Sequence, residues 1–201
     1  MPGLRGAALA AVVAAIALCS LTSPCHGRIL VVGDSNAVGL GVPPSHAWTT
    51  RLQRRAREFV QVYGSPGLTV GGPELGVGWQ PECLFFDLGL FGATARGGVR
   101  VAVFALGTND ASTDLEYVRR GTRQTLAFIK APWICITPLH TKGEKGQLDP
   151  LRQVIREECA AAGARIIEGG SLITDADLFD GVHLDLSGHA KLAAAVFAAL
   201  P

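Results

Sequence analysis

Four residues at separated places in the chain carry side chains suited to one reaction. Ser35 stands in Gly33-Asp34-Ser35-Asn36, Asn109 in Gly107-Thr108-Asn109-Asp110, and Asp180 and His183 frame Asp180-Gly181-Val182-His183. A serine hydroxyl attacks poorly until a base takes its proton, and histidine is the side chain that titrates near neutral pH. A carboxylate beside the histidine fixes its tautomer and stabilises the imidazolium, while amide N–H groups hold a developing oxyanion. These are the parts of an acyl-transfer site. Each fragment alone is ordinary: Gly, Asp, Ser and Asn all favour turns, and an Asp-x-x-His pair is common on surfaces. Their placement has to decide.

The elements that must position them alternate along the chain. Ile29–Val32 is an apolar run of strand length, Val60–Tyr63 a second, and Val99–Leu106 the longest. Trp133–Thr137, ended by Pro138, and Ala164–Ile167 complete five strands. Nearly continuous apolar runs are expected where both faces of a sheet are covered. Between them, residues 46–58 place Trp48, Leu52 and Ala56 at helical spacing, a stripe that Phe59 continues, with arginines opposite. Residues 114–130 and 147–162 read as further helices, and Ser187 as the N-cap of a last helix through Leu200. This order predicts a parallel sheet with helices on both faces, whose functional crevice lies beyond the carboxyl ends of the strands. The first strand exits into the Ser35 segment, the second into Gly64–Gly67, the third into the Asn109 segment and the fourth into Pro138–His140. The Asp180–His183 segment follows the fifth. Residues 64–98 are rich in Gly and Pro, with 83–93 the candidate crossover helix. The chain has no internal repeat and no interdomain linker.

In this order the blocks resemble the SGNH hydrolase family, also called GDSL-type esterases, over essentially all of residues 28–201. The resemblance implies an α/β fold, a flavodoxin-like three-layer α/β/α sandwich with a central, mainly parallel five-stranded sheet. It implies Ser35 as nucleophile, His183 as base and Asp180 as its orienting carboxylate. Ser35 and Gly67 would give backbone N–H groups, and Asn109 its side-chain amide, to the oxyanion. Gly67 is the best match to the family's second block, and Gly64 the fallback. The sequence departs from the pattern at Asn36, where Leu is commoner, a change expected to touch the chemistry little. The implied activity is a serine esterase removing short acyl groups, with acetyl on carbohydrate the leading substrate. Lipase, lysophospholipase or thioesterase action on longer chains and O-acyl transfer are alternatives, and a non-catalytic carbohydrate-binding module is the rival from another class.

The remaining polar residues have plainer expectations. Asp34 and Asp110 are expected to bond neighbouring backbone. His140 follows the fourth strand and has no carboxylate paired with it, and His189 is expected to be structural or superficial. Trp48 and Trp79 could stack on a sugar ring, although the spacing of Trp48 suits the core. Without a His/Asp/Glu cluster at ligand spacing, and with neither GxGxxG nor GxxxxGK[ST], no metal, nucleotide or other cofactor is expected.

Composition narrows the partners. Lys+Arg 18 against Asp+Glu 17 gives a net charge of +1, with no basic stripe for nucleic acid. Residues 7–18 are an unbroken apolar run behind Arg5, shorter than the roughly 20 residues of a membrane span. Residues 1–27 therefore read as a signal peptide and short leader, with an uncleaved anchor or a buried N-terminal helix the alternatives. The expected location is secreted or periplasmic, without stable membrane insertion after signal removal. The cysteines at 19, 25, 83, 135 and 159 show no CxxC spacing. Cys135 reads as a small core residue, and a disulfide of unassigned pairing suits an oxidising compartment.

Overall fold

The computed structural model describes residues 28–70 and 99–201. Five strands form one sheet: β1 (Arg28–Gly33), β2 (Val60–Gly64), β3 (Val99–Ala105), β4 (Trp133–Ile136) and β5 (Arg165–Ile167). Their order is β2-β1-β3-β4-β5 and every pairing is parallel. This is the flavodoxin-like order, in which the chain reverses direction across the sheet beside β1 and leaves a crevice there.

Alternation along the strands divides the core. Leu30, Val32, Ala102, Phe104 and Cys135 point to one face, where they meet Val118 and Leu126 of α3 (Leu115–Phe128) and Leu151, Val154 and Ile155 of α4 (Asp149–Ala161). Ile29, Val31, Val101, Val103, Ile134 and Ile136 point to the other. There they pack on Trp48 and Leu52 of α2 (Trp48–Ala56) and Leu192 and Val196 of α6 (Leu186–Ala198). Both faces are covered by helices, so the strands carry apolar residues at consecutive positions. The result is the expected three-layer sandwich.

Several local expectations are corrected. The helix expected over 46–58 is broken at Ala47, whose ψ of 140° is extended; a single 3₁₀ turn (Pro44–His46) precedes α2. The last helix is capped by Asp185 instead of Ser187: the Asp185 carboxylate accepts from the Ser187 and Gly188 N–H groups, both at 2.8 Å. The Ser187 hydroxyl instead donates to Asp177 at 3.2 Å. Cys135 is buried as expected, but it is bonded to Cys159, stapling β4 to α4. Trp48 is wholly buried and offers no sugar platform. Trp79, the candidate helix over 83–93 and the leader over 1–27 lie outside the described residues. Among the described residues, no helix is long and apolar enough to cross a membrane.

Candidate active site

β1 ends at Gly33, and the chain turns at once into α1 (Ser35–Val38). The Asp34 side chain caps this turn by accepting from the Asn36 N–H at 2.9 Å. Close packing requires glycine on either side. A Cβ on Gly33 would stand 2.3 Å from that of Ala37, and one on Gly64 would stand 2.5 Å from the Gly33 carbonyl oxygen. Ser35 is thus held at the sheet's carboxyl edge, nearly buried.

His183 reaches Ser35 from the segment between β5 and α6, beyond the short helix α5 (Gly169–Leu172). The Ser35 hydroxyl donates to His183 Nε2 at 3.1 Å, and His183 Nδ1 donates to Asp180 Oδ2 at 2.6 Å. The other Asp180 oxygen accepts from the Val182 and His183 N–H groups at 3.0 and 2.8 Å. Desolvation raises the Asp180 pKa, but the His183 and Val182 backbone bonds and the imidazole outweigh it and hold the carboxyl at about 2. Phe179 stacks along the His183 ring with centroids 5.8 Å apart.

On the other side of β1, Gly67 follows β2 in a turn with φ of 76°, which favours glycine. Among the described residues no atom lies within 4 Å of where its Cβ would stand, in contrast with the crowded Gly64. Asn109, beyond β3, donates from Nδ2 to the Leu68 carbonyl at 3.0 Å, which joins the second and third strand exits. An amide nitrogen has two hydrogens, leaving one for another acceptor. Asp110 is wholly buried and accepts from the Val70 N–H at 2.8 Å, a partner 40 residues earlier. The strand exits therefore bring Ser35, Asp180 and His183 into one hydrogen-bonded line, and they bring Asn109 to the Gly67 turn.

Three buried or paired groups extend this picture. Asp34 is pushed up to about 6 by burial, against the Asn36 N–H bond and the nearby His183 charge. His140 has the carboxylate partners its sequence context lacked: Nε2 meets Asp175 at 2.6 Å and Nδ1 faces Glu144 at 3.6 Å. The segment bearing His140 is anchored by buried Arg152, which donates to the Pro138 and Leu139 carbonyls. Asn36 is bonded across to the His183 loop, donation coming from the Leu184 N–H at 2.9 Å. A sequence offers no pattern for that pair, which lies 148 residues apart. Among the described residues, no group of three or more His, Cys, Asp or Glu side chains could hold a metal ion.

A strand-exit serine hydrogen-bonded in line with a His/Asp pair, on a parallel sheet of this order, is an arrangement compatible with a hydrolase of the α/β/α class. The chain matches the GDSL-like lipase/acylhydrolase family over residues 31–191 and belongs to it. Solved structures agree on the fold. A member of the lipolytic G-D-S-L family from Veillonella parvula superposes with a TM-score of 0.68 at 19% identity, covering 85% of this chain and 96% of that one. TesA gives 0.66 at 18%, covering 86% and 97%. A family two carbohydrate esterase from Clostridium thermocellum, in complex with cellohexaose, gives 0.67 at 17%, covering 88% of this chain and 64% of that one. No curated protein matches the chain by sequence.

Proposed function

We propose that this hydrolase is a serine esterase that removes short acyl groups, acetyl foremost, from carbohydrate. The observation that carries the reading is the aligned Ser35–His183–Asp180 line, with contacts of 3.1 and 2.6 Å. Ser35 Oγ attacks the ester carbonyl as its proton passes to His183 Nε2. The Asp180 carboxylate, kept ionised, stabilises the resulting imidazolium. The oxyanion is held by the Ser35 and Gly67 N–H groups and the second Asn109 amide hydrogen. His183 then gives its proton to the departing alkoxide, breaking the C–O bond and leaving an acyl-Ser35 ester. A water deprotonated by His183 attacks that ester, and collapse returns the proton to Ser35 and releases the acid.

The likeness to a carbohydrate esterase supports a sugar ester as substrate. Secretion or residence in the periplasm is supported by the apolar run at 7–18 and by the Cys135–Cys159 bond, a linkage that persists in oxidising compartments. One observation favours a longer acyl chain as the second reading. Val38, Leu40, Phe179 and Val182 are exposed apolar side chains on the two segments that carry Ser35 and His183.

The test is hydrolysis of p-nitrophenyl esters from acetyl to long chain and of acetylated oligosaccharides, with Ser35→Ala and His183→Ala in parallel. Fastest cleavage of acetyl esters, and a loss of about 10⁴-fold or more in both variants, is the expected result. Rates rising with chain length would move the assignment to the second reading. Undiminished activity in Ser35→Ala would overturn the mechanism.

A further inference from the structure

We propose that Asn36 is a positioning residue that holds His183 in register with Ser35; the proposal rests on the esterase reading above. Asn36 directly follows the nucleophile, and Leu184 directly follows the base. The hydrogen bond from the Leu184 N–H to Asn36 Oδ1, at 2.9 Å, therefore ties together the neighbours of the two groups that exchange a proton. Both ends are fixed. The Asn36 backbone N–H is held by Asp34, and the side chain is almost wholly buried. Leu184 is fully buried and pairs with Leu178 in an isolated antiparallel bridge, while the Phe179 N–H donates to the His183 carbonyl at 3.0 Å.

The chemistry of the contact sets the orientation of the amide. An N–H must meet an acceptor, so Oδ1 faces Leu184 and Nδ2 faces away. Nδ2 has no partner among the described residues, and Asn36 lines a cavity of about 10 Å³ with Asp34, Thr108 and Thr137. A leucine at this position, the commoner choice in the resemblance noted above, has no oxygen to offer. It would leave a buried N–H without an acceptor and release the segment that carries the base.

The Asp180 bonds shape the His183 loop internally, but they do not fix it relative to β1. The Lys142 N–H donates to the Gly181 carbonyl at 2.7 Å and anchors the loop on the β4 side. Asn36 supplies the anchor on the nucleophile side. Small displacements of a reacting group of about 1 Å lower turnover on the order of 10²-fold, so loss of this anchor should act on kcat.

Wild type, Asn36→Leu and Asn36→Asp are compared on the p-nitrophenyl ester that wild type cleaves fastest, with Tm measured alongside. Asn36→Leu is expected to lose about 10- to 100-fold in kcat with KM within about 3-fold. Asn36→Asp keeps an oxygen facing Leu184 in either protonation state and should stay within about 5-fold of wild type. A merely structural role would lower the Tm of Asn36→Leu and leave its kcat unchanged well below that Tm, which overturns the proposal. Equal losses in the Leu and Asp variants overturn it too. If Asn36→Leu does not fold, native-state hydrogen exchange of wild type decides. A protected Leu184 amide supports the anchor, and one exchanging at open-loop rates overturns it. Wild type that is inactive and unlabelled by a fluorophosphonate points to failure of the esterase reading itself. Active, labelled wild type with indifferent Asn36 variants points to failure of this proposal alone.

Discussion

At the scale of single residues, Asp180 carries two duties that a conservative substitution separates. One oxygen accepts backbone N–H bonds from Val182 and His183, and the other accepts from the imidazole Nδ1. In Asp180→Asn, the amide oxygen can keep the backbone bonds, and the loop should hold its shape. The amide nitrogen would then face Nδ1 as a donor. The imidazole must answer with the tautomer protonated on Nε2, which presents a hydrogen to Ser35 where a lone pair is needed. Turnover is expected to fall on the order of 10⁴-fold, the size of effect that a wrong tautomer produces, with Tm changed by only a few degrees. Steady-state rates and a melting curve on the same preparation check both halves. Retained activity would show that Asp180 does not set the tautomer.

At the scale of elements, the Cys135–Cys159 bond joins the central sheet to the helix that covers it, 24 residues further along. Closing a loop of that length restricts the unfolded chain by about 3 kcal/mol. For a domain of this size that corresponds to roughly 6–12 °C in Tm. Calorimetry with and without a thiol reductant should show a drop of that order in wild type and none in the Cys135→Ala/Cys159→Ala pair. A wild type whose Tm is unchanged after unfolding in reductant and refolding in it would show that the bond is not formed. The staple also marks the boundary of what the sequence made legible. Strand exits follow from apolar runs and the residues that end them, so the placing of Ser35, Asn109 and Gly67 is legible in the sequence. Contacts between loops are not. The pairing of His140 with Asp175 spans 35 residues, that of Asn36 with Leu184 spans 148, and both depend on how loops are routed after the strands end. The cap of α6 is ambiguous in the sequence for a different reason. Asp185 and Ser187 are both good cap residues, and the choice turned on Asp177 occupying the serine hydroxyl.

At the scale of the whole molecule, two buried titratable groups oppose each other as pH changes. Asp34, raised from 3.8 to about 6 by burial, faces the Asn36 N–H, the His183 charge and Asp110. Its stabilising contribution is fully present below pH 3.8 and is lost as pH rises through about 6. His189 is wholly buried and neutral; its Nδ1 accepts from the Trp48 N–H at 3.1 Å. Burial and the nearby Arg51 charge push it down from 6.5 to about 4, only partly offset by Asp185. Its contribution is fully present above pH 6.5 and is lost as pH falls toward about 4, because the unfolded chain takes up the proton first. At about 1.4 kcal/mol per pH unit, each contribution amounts to about 3 kcal/mol over its full range. Between pH 6.5 and 5 the two run in opposite directions, so the unfolding free energy of wild type should change little. Asp34→Asn keeps an oxygen for the Asn36 N–H but removes the titration, and its stability should fall by about 2 kcal/mol on acidification across that window. His189→Asn leaves Asp34 unopposed, and its stability should rise by about 1 kcal/mol over the same interval. Urea unfolding at pH 6.5 and 5 measures all three. Parallel changes in the three proteins would mean that neither group titrates as its burial demands, whereas diverging slopes would show that a flat profile in the native chain conceals two opposed proton equilibria.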